Sequence, residues 1–395
     1  MDSSMRWSGI VAACCAALTL TPPSFASAPS ALPPYTPAYE PTTVDERGMW
    51  MEADERERLL RDSPLRIREG GLERYVREVL CREVGDDRCK GVRVYVMEIP
   101  AFNASMMANG CMEVWSGLLL RARSEAELAA VLGHEFGHFE LRHTLMGFKA
   151  KRSATDVMAW VDVLGGITNR DMSSANVSLV GSLYRFNRAQ ETEADLLGFK
   201  YMAASGYPAK AASEVWQQRM AEDDATALGR GLKPRRNYTS GFFDTHPTDL
   251  KRAEYLAKAA AALPADGDAR VEQYRAAIAP YLSRMLAAQI KMNDFGGTDF
   301  ILNSLASSGG WSGELLFARA ELYRTRGNPR DLQMASLWYR DAKAAGYVAP
   351  ELDRNLGLAL LRNGQTEDAR KSLGAYLVAR PEAPDAKMIQ ALLAK

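Results

Sequence analysis

The sequence has no net charge, few histidines and, beyond its N-terminus, no long hydrophobic run. Its 395 residues hold 49 Lys and Arg against 49 Asp and Glu. This balance argues against a nucleic-acid partner and against an acidic disordered tail. No later stretch approaches the roughly 18 uninterrupted apolar residues of a membrane-spanning helix, so we expect a soluble mature chain. The hydrophobic share of 47% and the length are sufficient for two or three domains with a sizeable core.

The apolar segment at the N-terminus is too short to span a bilayer. Arg6 precedes residues 7–20, which are largely apolar, and small residues suited to cleavage follow as far as Ala26. This order of a positive flank, an apolar run and small residues predicts a secretory signal peptide over 1–26. Val11–Cys14 also resembles a lipoprotein box, although the apolar run before the cysteine is short, so a lipoprotein anchor is the alternative.

Cysteine is scarce, with five residues in the whole chain. Cys14 and Cys15 lie inside the predicted signal peptide. Cys81 and Cys89 flank a polar turn and could form a disulfide in an oxidising compartment. The alternative is that both, together with Cys111, are free or buried thiols, because spacing alone does not fix pairing.

Composition divides the chain into four predicted parts. The signal peptide (1–26) is followed by an extended arm rich in Pro, Ser, Ala and Thr (27–48), a folded domain (49–263) and a helical region (264–395). Helical periodicity starts near Glu52. Short strand candidates interrupt it, so we predict a mainly α fold with a small β-sheet.

The folded domain contains a turn signal between its two strand candidates and a helix start after them. The strand candidates are residues 91–99 and Cys111–Trp115, and the Asn-Gly pair at 109–110 predicts a turn. Ser124, with Glu127 three residues later, forms a capping-box pattern ahead of an apolar run. We therefore predict that a helix starting after Ser124 carries the histidine-rich stretch that follows.

Three of the four histidines lie in one stretch, VLGHEFGHFELRHT at Val131–Thr144. His134 and His138 are four residues apart, so on a helix both imidazoles point the same way, a spacing that suits two ligands of one Zn²⁺. Glu135 lies about 100° round the helix and can reach a water at the metal without being a ligand. His143 is about 180° from His134 on a straight helix, so we interpret it as a supporting or surface histidine.

A catalytic zinc needs a third protein ligand, and a second predicted helix, over about 176–205, offers candidates. Glu191 and Asp195 lie four residues apart and share a face, whereas Glu193 is about 200° from Glu191 and should point elsewhere. We predict that Glu191 is the ligand and that Asp195 orients a ligating imidazole through its other N–H. A solvated acidic helix face is the alternative.

These motifs together resemble one known family. HEFGH at 134–138, ETEAD at 191–195 and THP at 245–247 make residues 75–260 similar to the zinc metalloendopeptidases that include the CAAX-prenyl proteases and the heat-shock protease HtpX. The resemblance implies a gluzincin-like metallopeptidase domain in 49–263 that binds one Zn²⁺. It also implies peptide-bond hydrolysis with Glu191 as the third ligand, in keeping with Glu135 as the general base.

The fourth histidine has three interpretations. His246 could donate to the oxyanion, could occupy the open position of the zinc in a resting state, or could only cap and pack the helix that Pro247 begins. The match of THP to the family favours a role at the site, next to a long polar loop over 221–245. Arg252, on the helix that follows, is a weaker candidate for oxyanion binding or for support of the site, against the alternative of a surface arginine.

The helical region 264–395 contains a repeat. Leu356, Gly357, Gly364, Ala369, Leu373 and Pro381 fall at the offsets of a tetratricopeptide repeat, and an earlier unit around 320–342 fits if its turn has three extra residues. We predict a tetratricopeptide-repeat-like solenoid, whose concave face would bind protein ligands. Generic helical hairpins are the alternative.

The export signal and this tail narrow the resemblance to periplasmic members of the family. The resemblance then implies quality control and assembly of outer-membrane proteins, with unfolded or extended polypeptide as substrate. It also implies that the repeats bind the outer-membrane protein assembly machinery, and it allows peripheral membrane association. A strand such as Cys111–Trp115, if at a sheet edge, could bind substrate by strand addition. The alternative function is a chaperone or assembly factor that acts mainly through the repeats.

Overall fold

A computed structural model describes most of the chain after the predicted arm. The described residues are 40–69, 71–153, 173–234, 249–264 and 266–394, with only the backbone described at 173–187 and 308. The predicted signal peptide and His246 lie outside them. Within this part of the chain, no helix combines the length and the apolar character needed to cross a membrane.

The described residues form a mainly helical fold with one small sheet. The first half contains α1 (Val44–Asp62), α2 (Leu72–Val84), α3 (Asp86–Cys89), β1 (Arg93–Met97), β2 (Ala104–Met106), β3 (Cys111–Trp115), α4 (Ser116–Arg121), α5 (Glu125–Glu140), α6 (helical at 143–153), α7 (Ser173–Ala204), α8 (Ala211–Gly229) and α9 (Asp249–Ala260). The second half contains α10 (Val271–Ile278), a 3₁₀ turn (Ala279–Tyr281), α11 (Leu282–Ile290), α12 (Phe295–Gly309), α13 (Gly313–Arg326), α14 (Pro329–Ala344), α15 (Pro350–Arg362), α16 (Thr366–Ala379) and α17 (Ala386–Leu393). The predicted mainly α fold with a small sheet is thus confirmed.

The sheet has the strand order β1-β3-β2. β1 pairs with β3 in parallel, with Arg93 opposite Cys111, and β2 pairs with β3 antiparallel, with Ala104 opposite Val114. The strand Cys111–Trp115 is therefore central, which excludes it as the edge that could bind substrate. β2 is an edge strand instead, since in the described part of the chain it pairs only with β3.

The first helix begins earlier than its periodicity predicted. α1 starts at Val44, not near Glu52, so the last residues of the predicted extended arm are helical. The cause is a capping box: the Thr43 side chain accepts from the backbone N–H of Glu46, and the Glu46 carboxylate accepts from the backbone N–H of Thr43. The buried Glu46 also pairs with Lys149 at 2.6 Å, which ties α1 to α6.

The histidine-rich stretch is divided between two helices. Ser124 caps α5 as predicted, with its hydroxyl accepting from the backbone N–H of Glu127 at 3.2 Å. α5 then ends at Glu140, and Arg142 takes a φ of 58°, a left-handed conformation that a helix cannot continue through. His143 consequently begins α6, and the straight-helix angle used to place it does not apply.

Two glycines allow α5 and α7 to pack in close contact. A Cβ at Gly137 would lie 2.9 Å from the carbonyl oxygen of Ala194, and one at Gly198 would lie 2.8 Å from the backbone nitrogen of His134. No larger residue fits at either position without moving backbone. This close approach brings the acidic residues of α7 to the histidines of α5.

The main hydrophobic core crosses the predicted boundary between 263 and 264. It begins at Ile67, takes in α2, the sheet, α5, α8 and α9, and continues through Tyr274, Met285 and Ile301 to Leu322. A polar link follows the same path: buried Arg121 donates to Glu222 at 2.8 Å and to Gln289 at 3.2 Å. α10, α11 and α12 therefore pack against the first domain, and α13 packs on α11 and α12.

The last helices form antiparallel hairpins around a second core. α13 packs on α14 and α15 on α16, with fully buried Ala320, Ala335 and Ala369 between the helices. A Cβ on Gly357 would lie 2.6 Å from the Leu373 side chain. Small residues at these positions let the helices approach, which is compatible with the repeat and with the alternative of generic helical hairpins.

A disulfide joins Cys81 to Cys89, with their Cα atoms 5.1 Å apart, and connects α2 to α3. Of the two open alternatives, the structure therefore has the bridge. Cys111 is a free, buried thiol, and burial raises its pKa to about 12.

Candidate active site

Two helices bring three potential metal ligands together. The Nε2 atoms of His134 and His138, on α5, lie 3.1 Å apart. Glu191, on α7, places Oε2 3.5 Å from Nε2 of His134 and Oε1 3.4 Å from Nε2 of His138. No other group of three or more His, Cys, Asp or Glu in the described part of the chain could hold a metal ion.

The donor set and its spacing fit zinc. Zinc bonds to imidazole nitrogen and carboxylate oxygen are about 2.0–2.2 Å long, and two such bonds at the tetrahedral angle place their donor atoms about 3.4 Å apart. The observed separations of 3.1, 3.4 and 3.5 Å, of which the last two reach different oxygens of Glu191, lie close to this value. Two imidazoles with one carboxylate are also a ligand set of catalytic rather than structural zinc sites.

Glu135 lies beside this group and is not part of it. Its side chain is partly buried on the turn of α5 that carries His134 and His138. Burial raises the pKa of its carboxyl, and the two histidines oppose this rise without cancelling it. A carboxylate with a raised pKa next to a metal group is suited to accept a proton.

Asp195 holds His134 in place. Its Oδ1 lies 2.7 Å from Nδ1 of His134, which leaves Nε2 of that ring facing the ligand group. Burial would raise the pKa of Asp195, but Arg252 and His134 outweigh burial and hold it well below its usual range. Asp195 thus stays ionised and accepts from the ring. Tyr255 also donates to this carboxylate.

Arg252 is buried, so the interpretation as a surface arginine is wrong. Its guanidinium donates to both oxygens of Asp195, from Nε at 2.8 Å and from Nη2 at 2.6 Å. The same group stacks on Trp216, 3.5 Å from the ring centre. Arg252 therefore fixes the carboxylate that fixes His134, a supporting role. Sequence reasoning missed Trp216 and Tyr255, because nothing in their local pattern indicates contact with the site.

In the metal-free protein, the ring of His134 has a raised pKa. Burial and Arg252 lower the pKa of its ring, but Asp195 and Glu191 outweigh them and raise it to about 9. Metal binding at neutral pH therefore displaces a proton from this ring.

His143 is buried and touches a ligand without being one. Its Nδ1 lies 2.9 Å from Nδ1 of His138, and its Nε2 lies 3.3 Å from Oε2 of Glu193. Burial lowers the pKa of His143, and His138 adds to this, while Glu193 opposes it. Glu193 was expected to point elsewhere; its side chain is 62% exposed but its carboxylate still reaches this ring. Sequence reasoning missed that contact because it placed His143 on α5.

His246 lies outside the described residues, as does the segment before it from residue 235. Its three interpretations stay predictions. The start of the predicted loop over 221–245 is helical instead, because α8 continues to Gly229.

An open cavity of about 690 Å³ leads to the ligand group. Apolar side chains from three elements line it, including Met49 on α1, Met106 on β2 and Phe148 on α6. His138 and Glu191 form part of the same wall. The edge strand and the metal group thus face one groove that an extended chain could enter.

A carboxylate positioned as a proton acceptor beside a three-ligand zinc group is the arrangement of a metallopeptidase. The family comparison agrees with this class. Residues 66–260 match the model of Peptidase family M48, and this domain of the chain belongs to that family.

The curated relatives that the chain resembles are metalloproteases. It is 30% identical over 169 residues to "Mitochondrial metalloendopeptidase OMA1" of Arabidopsis thaliana, covering 42% of this chain and 31% of that one. It is 29% identical over 158 residues to "Metalloprotease LoiP" of Escherichia coli K12, covering 39% and 57%. It is 31% identical over 129 residues to "Putative beta-barrel assembly-enhancing protease" of Vibrio cholerae, covering 31% and 26%. The chain thus spans between 26% and 57% of the length of these three relatives.

Proposed function

We propose that this protein is a zinc-dependent endopeptidase of the bacterial cell envelope that cleaves unfolded or extended polypeptides. One observation carries the proposal: His134, His138 and Glu191 present donor atoms at zinc spacing with Glu135 next to them. Membership of residues 66–260 in Peptidase family M48 supports it.

The mechanism assigns each residue a separate task. Zinc, when bound by His134, His138 and Glu191, supplies a Lewis acid that polarises the peptide carbonyl and acidifies water. Glu135 accepts a proton from the attacking water and then delivers it to the amine that leaves.

The groove supports a polypeptide as substrate. Strand addition to β2 would give backbone hydrogen bonds that do not depend on sequence. Met49, Met106 and Phe148 would contact substrate side chains, and methionine adapts to apolar groups of different shape. These features suit a protease for unfolded chains.

The substitution Glu135→Gln tests the catalytic proposal. Hydrolysis of unfolded casein should fall by at least about 100-fold, because the general base is lost, while zinc binding should remain. Glu140→Gln is the matched control: it removes a carboxylate of the same helix that pairs with Arg88 at 3.2 Å, away from the ligands. Full casein hydrolysis by zinc-loaded Glu135→Gln would overturn the proposal.

We place the protein in the periplasm, with residues 1–26 as a signal peptide and a lipoprotein anchor as the alternative. The name of the Vibrio cholerae relative supports a role in outer-membrane protein quality control and assembly. Fractionation of cells that produce the full chain tests this, because the periplasmic fraction should contain it without detergent. A chain that stays in the cytoplasm contradicts the envelope role.

We propose further that α13 to α16 are tetratricopeptide repeats that bind the outer-membrane protein assembly machinery. The antiparallel hairpins with small residues at their contacts support this assignment. They also support the second candidate function, a chaperone or assembly factor. Glu135→Gln separates the two: if the cellular role survives loss of cleavage, the helical region performs it.

His246 is proposed to regulate the site. His246→Ala tests this through casein hydrolysis. Higher activity supports an inhibitory fourth ligand, lower activity supports oxyanion binding, and unchanged activity contradicts both.

A further inference from the structure

The two ligating imidazoles are supported in different ways. Nδ1 of His134 faces a buried carboxylate, Asp195, at 2.7 Å. Among the described residues, the hydrogen-bond partner of Nδ1 of His138 is not a carboxylate but a second imidazole, that of His143, at 2.9 Å. The hydrogen bond on the far nitrogen of a ligating histidine sets its tautomer and ring orientation. The tautomer and orientation of His138 therefore depend on the imidazole of His143 rather than on a carboxylate.

The proton positions in this contact follow from the ligand geometry. Nε2 of His138 faces the ligand group, 3.4 Å from Glu191, so a metal takes that nitrogen and Nδ1 carries the proton. Two imidazole nitrogens 2.9 Å apart can share only one proton, so Nδ1 of His143 is the acceptor. The proton of neutral His143 is then on Nε2, which donates to Glu193 at 3.3 Å.

The backbone holds His143 in this place. Arg142, with its φ of 58°, ends the turn after α5 and folds the chain back towards the ligands. The side-chain amide of Gln190 donates to the carbonyl oxygen of His143 at 3.5 Å. Gln190 directly precedes Glu191, so α7 anchors both the third ligand and the supporting ring. The side chain of His143 is only 4% exposed.

We propose that His143 is a positioning residue: its Nδ1 accepts a hydrogen bond from the Nδ1–H of His138 and thereby holds the ligating tautomer and orientation of that ring. The exposed Glu193 carboxylate accepts a hydrogen bond from the Nε2–H of His143. The proposal rests on the zinc site of the proposed function. His143, which lies outside the His-Glu-x-x-His motif, thus supports His138 as Asp195 supports His134.

The main test measures zinc affinity, by competition with a chromophoric chelator at constant pH. His143→Phe keeps a ring but has no acceptor, and zinc should bind about 10- to 100-fold more weakly, as for other lost partners of ligating histidines. His143→Gln keeps an acceptor oxygen and should bind zinc more tightly than His143→Phe. Glu193→Gln should stay close to wild type, because its amide oxygen still accepts and the group is exposed.

Thermal unfolding in excess chelator separates positioning from folding. The three variants should unfold cooperatively without metal, and the order of their zinc affinities should not follow the order of their melting temperatures. If His143→Phe binds zinc as tightly as wild type, the proposal is wrong. If wild type itself binds no zinc, the proposed function fails instead, so the two failures are distinguishable.

Nitrogen-15 NMR of histidine-labelled, zinc-loaded protein reads the tautomers directly. With only four histidines in the chain, single substitutions can assign every ring. His138 should carry its proton on Nδ1 and His143 on Nε2. His143 protonated on Nδ1, or exchanging between tautomers, would overturn the assignment.

Discussion

The contact between α5 and α7 and the contact between α15 and α16 use the same packing device for different purposes. In each, a missing side chain lets two helices approach: Gly198 at the first, Gly357 at the second. The first contact buries charged groups, including Asp195 and Glu191, whereas the second buries Leu356, Leu373 and other apolar residues. Close helix packing alone therefore does not create a metal site. The site requires the paired charged groups that the contact between α5 and α7 buries. Damage to the first contact should cost both stability and metal binding, and damage to the second only stability.

Asp195→Asn should give the largest effect. The substitution leaves Arg252 as a buried charge without its counterion, so the free energy of unfolding should fall by about 3–5 kcal/mol. Zinc affinity should fall as well, because His134 loses the acceptor for its Nδ1 proton. Chemical denaturation and chelator competition measure the two losses. Adding Arg252→Met should restore part of the stability but not the zinc affinity; recovery of both would contradict the assigned role of Asp195.

Gly198→Ala should have the second-largest effect on stability and zinc binding. Its new Cβ would meet the backbone of Gly133 and His134 at 2.8 Å, and backbone cannot move aside cheaply. We expect a loss of about 1–3 kcal/mol of stability, together with weaker zinc binding because the helices separate. Denaturation midpoints and zinc titration check both. Unchanged zinc affinity in a destabilised variant would show that the site tolerates separation of α5 from α7.

Gly357→Ala should have a smaller effect and no effect on zinc. Its Cβ would lie 2.6 Å from Cγ of the buried Leu373 and 3.2 Å from the carbonyl oxygen of Ala369, so the leucine must shift. The closest clash is with a side chain rather than with backbone, and alanine gains about 1 kcal/mol of helix propensity. The net change in stability should be below about 1 kcal/mol. Zinc titration of this variant is the matched control for Gly198→Ala. A loss of zinc binding here would remove the distinction between the two contacts.

Glu83→Gln should raise the free energy of unfolding at neutral pH, whereas Asp195→Asn and Gly198→Ala lower it. Glu83 is buried on α2 directly against Gly133, and neither of its carboxyl oxygens has a hydrogen-bond partner in the described part of the chain. Burial raises its pKa well above the ordinary value of 4.5. The folded state therefore binds a proton that the unfolded state releases, and stability falls as pH rises above about 4.5. Asp195, with its lowered pKa, gives the opposite slope, a loss on acidification.

The measurement for Glu83→Gln is the free energy of unfolding between pH 4 and pH 8, in steps of about one unit. The variant should gain on wild type as pH rises, reaching about 1–3 kcal/mol at neutral pH. Parallel curves for the two proteins would show that Glu83 is ionised and solvated in the folded state.

The sequence could predict the ligands but not all of their support. His134, His138 and Glu191 follow from helical spacing and a family motif, which depend on local pattern. The role of Arg252 depends on the packing of α9 against α8 and α7, and a local sequence pattern does not predict such tertiary contacts. His143 was placed by the angle of a straight helix, and the left-handed turn at Arg142 removed the basis of that argument. The start of α1 was missed because its capping box precedes the region where apolar periodicity becomes clear.

The core that runs from Ile67 to Leu322 limits how this molecule can be divided. A protein cut after Leu263 would lose Tyr274, Met285 and Ile301 and would present the apolar surface that they cover to water. Such a surface promotes aggregation. Isolated preparations of the catalytic part should therefore extend at least to the end of α13, and deletions that spare the motifs should still lose soluble protein.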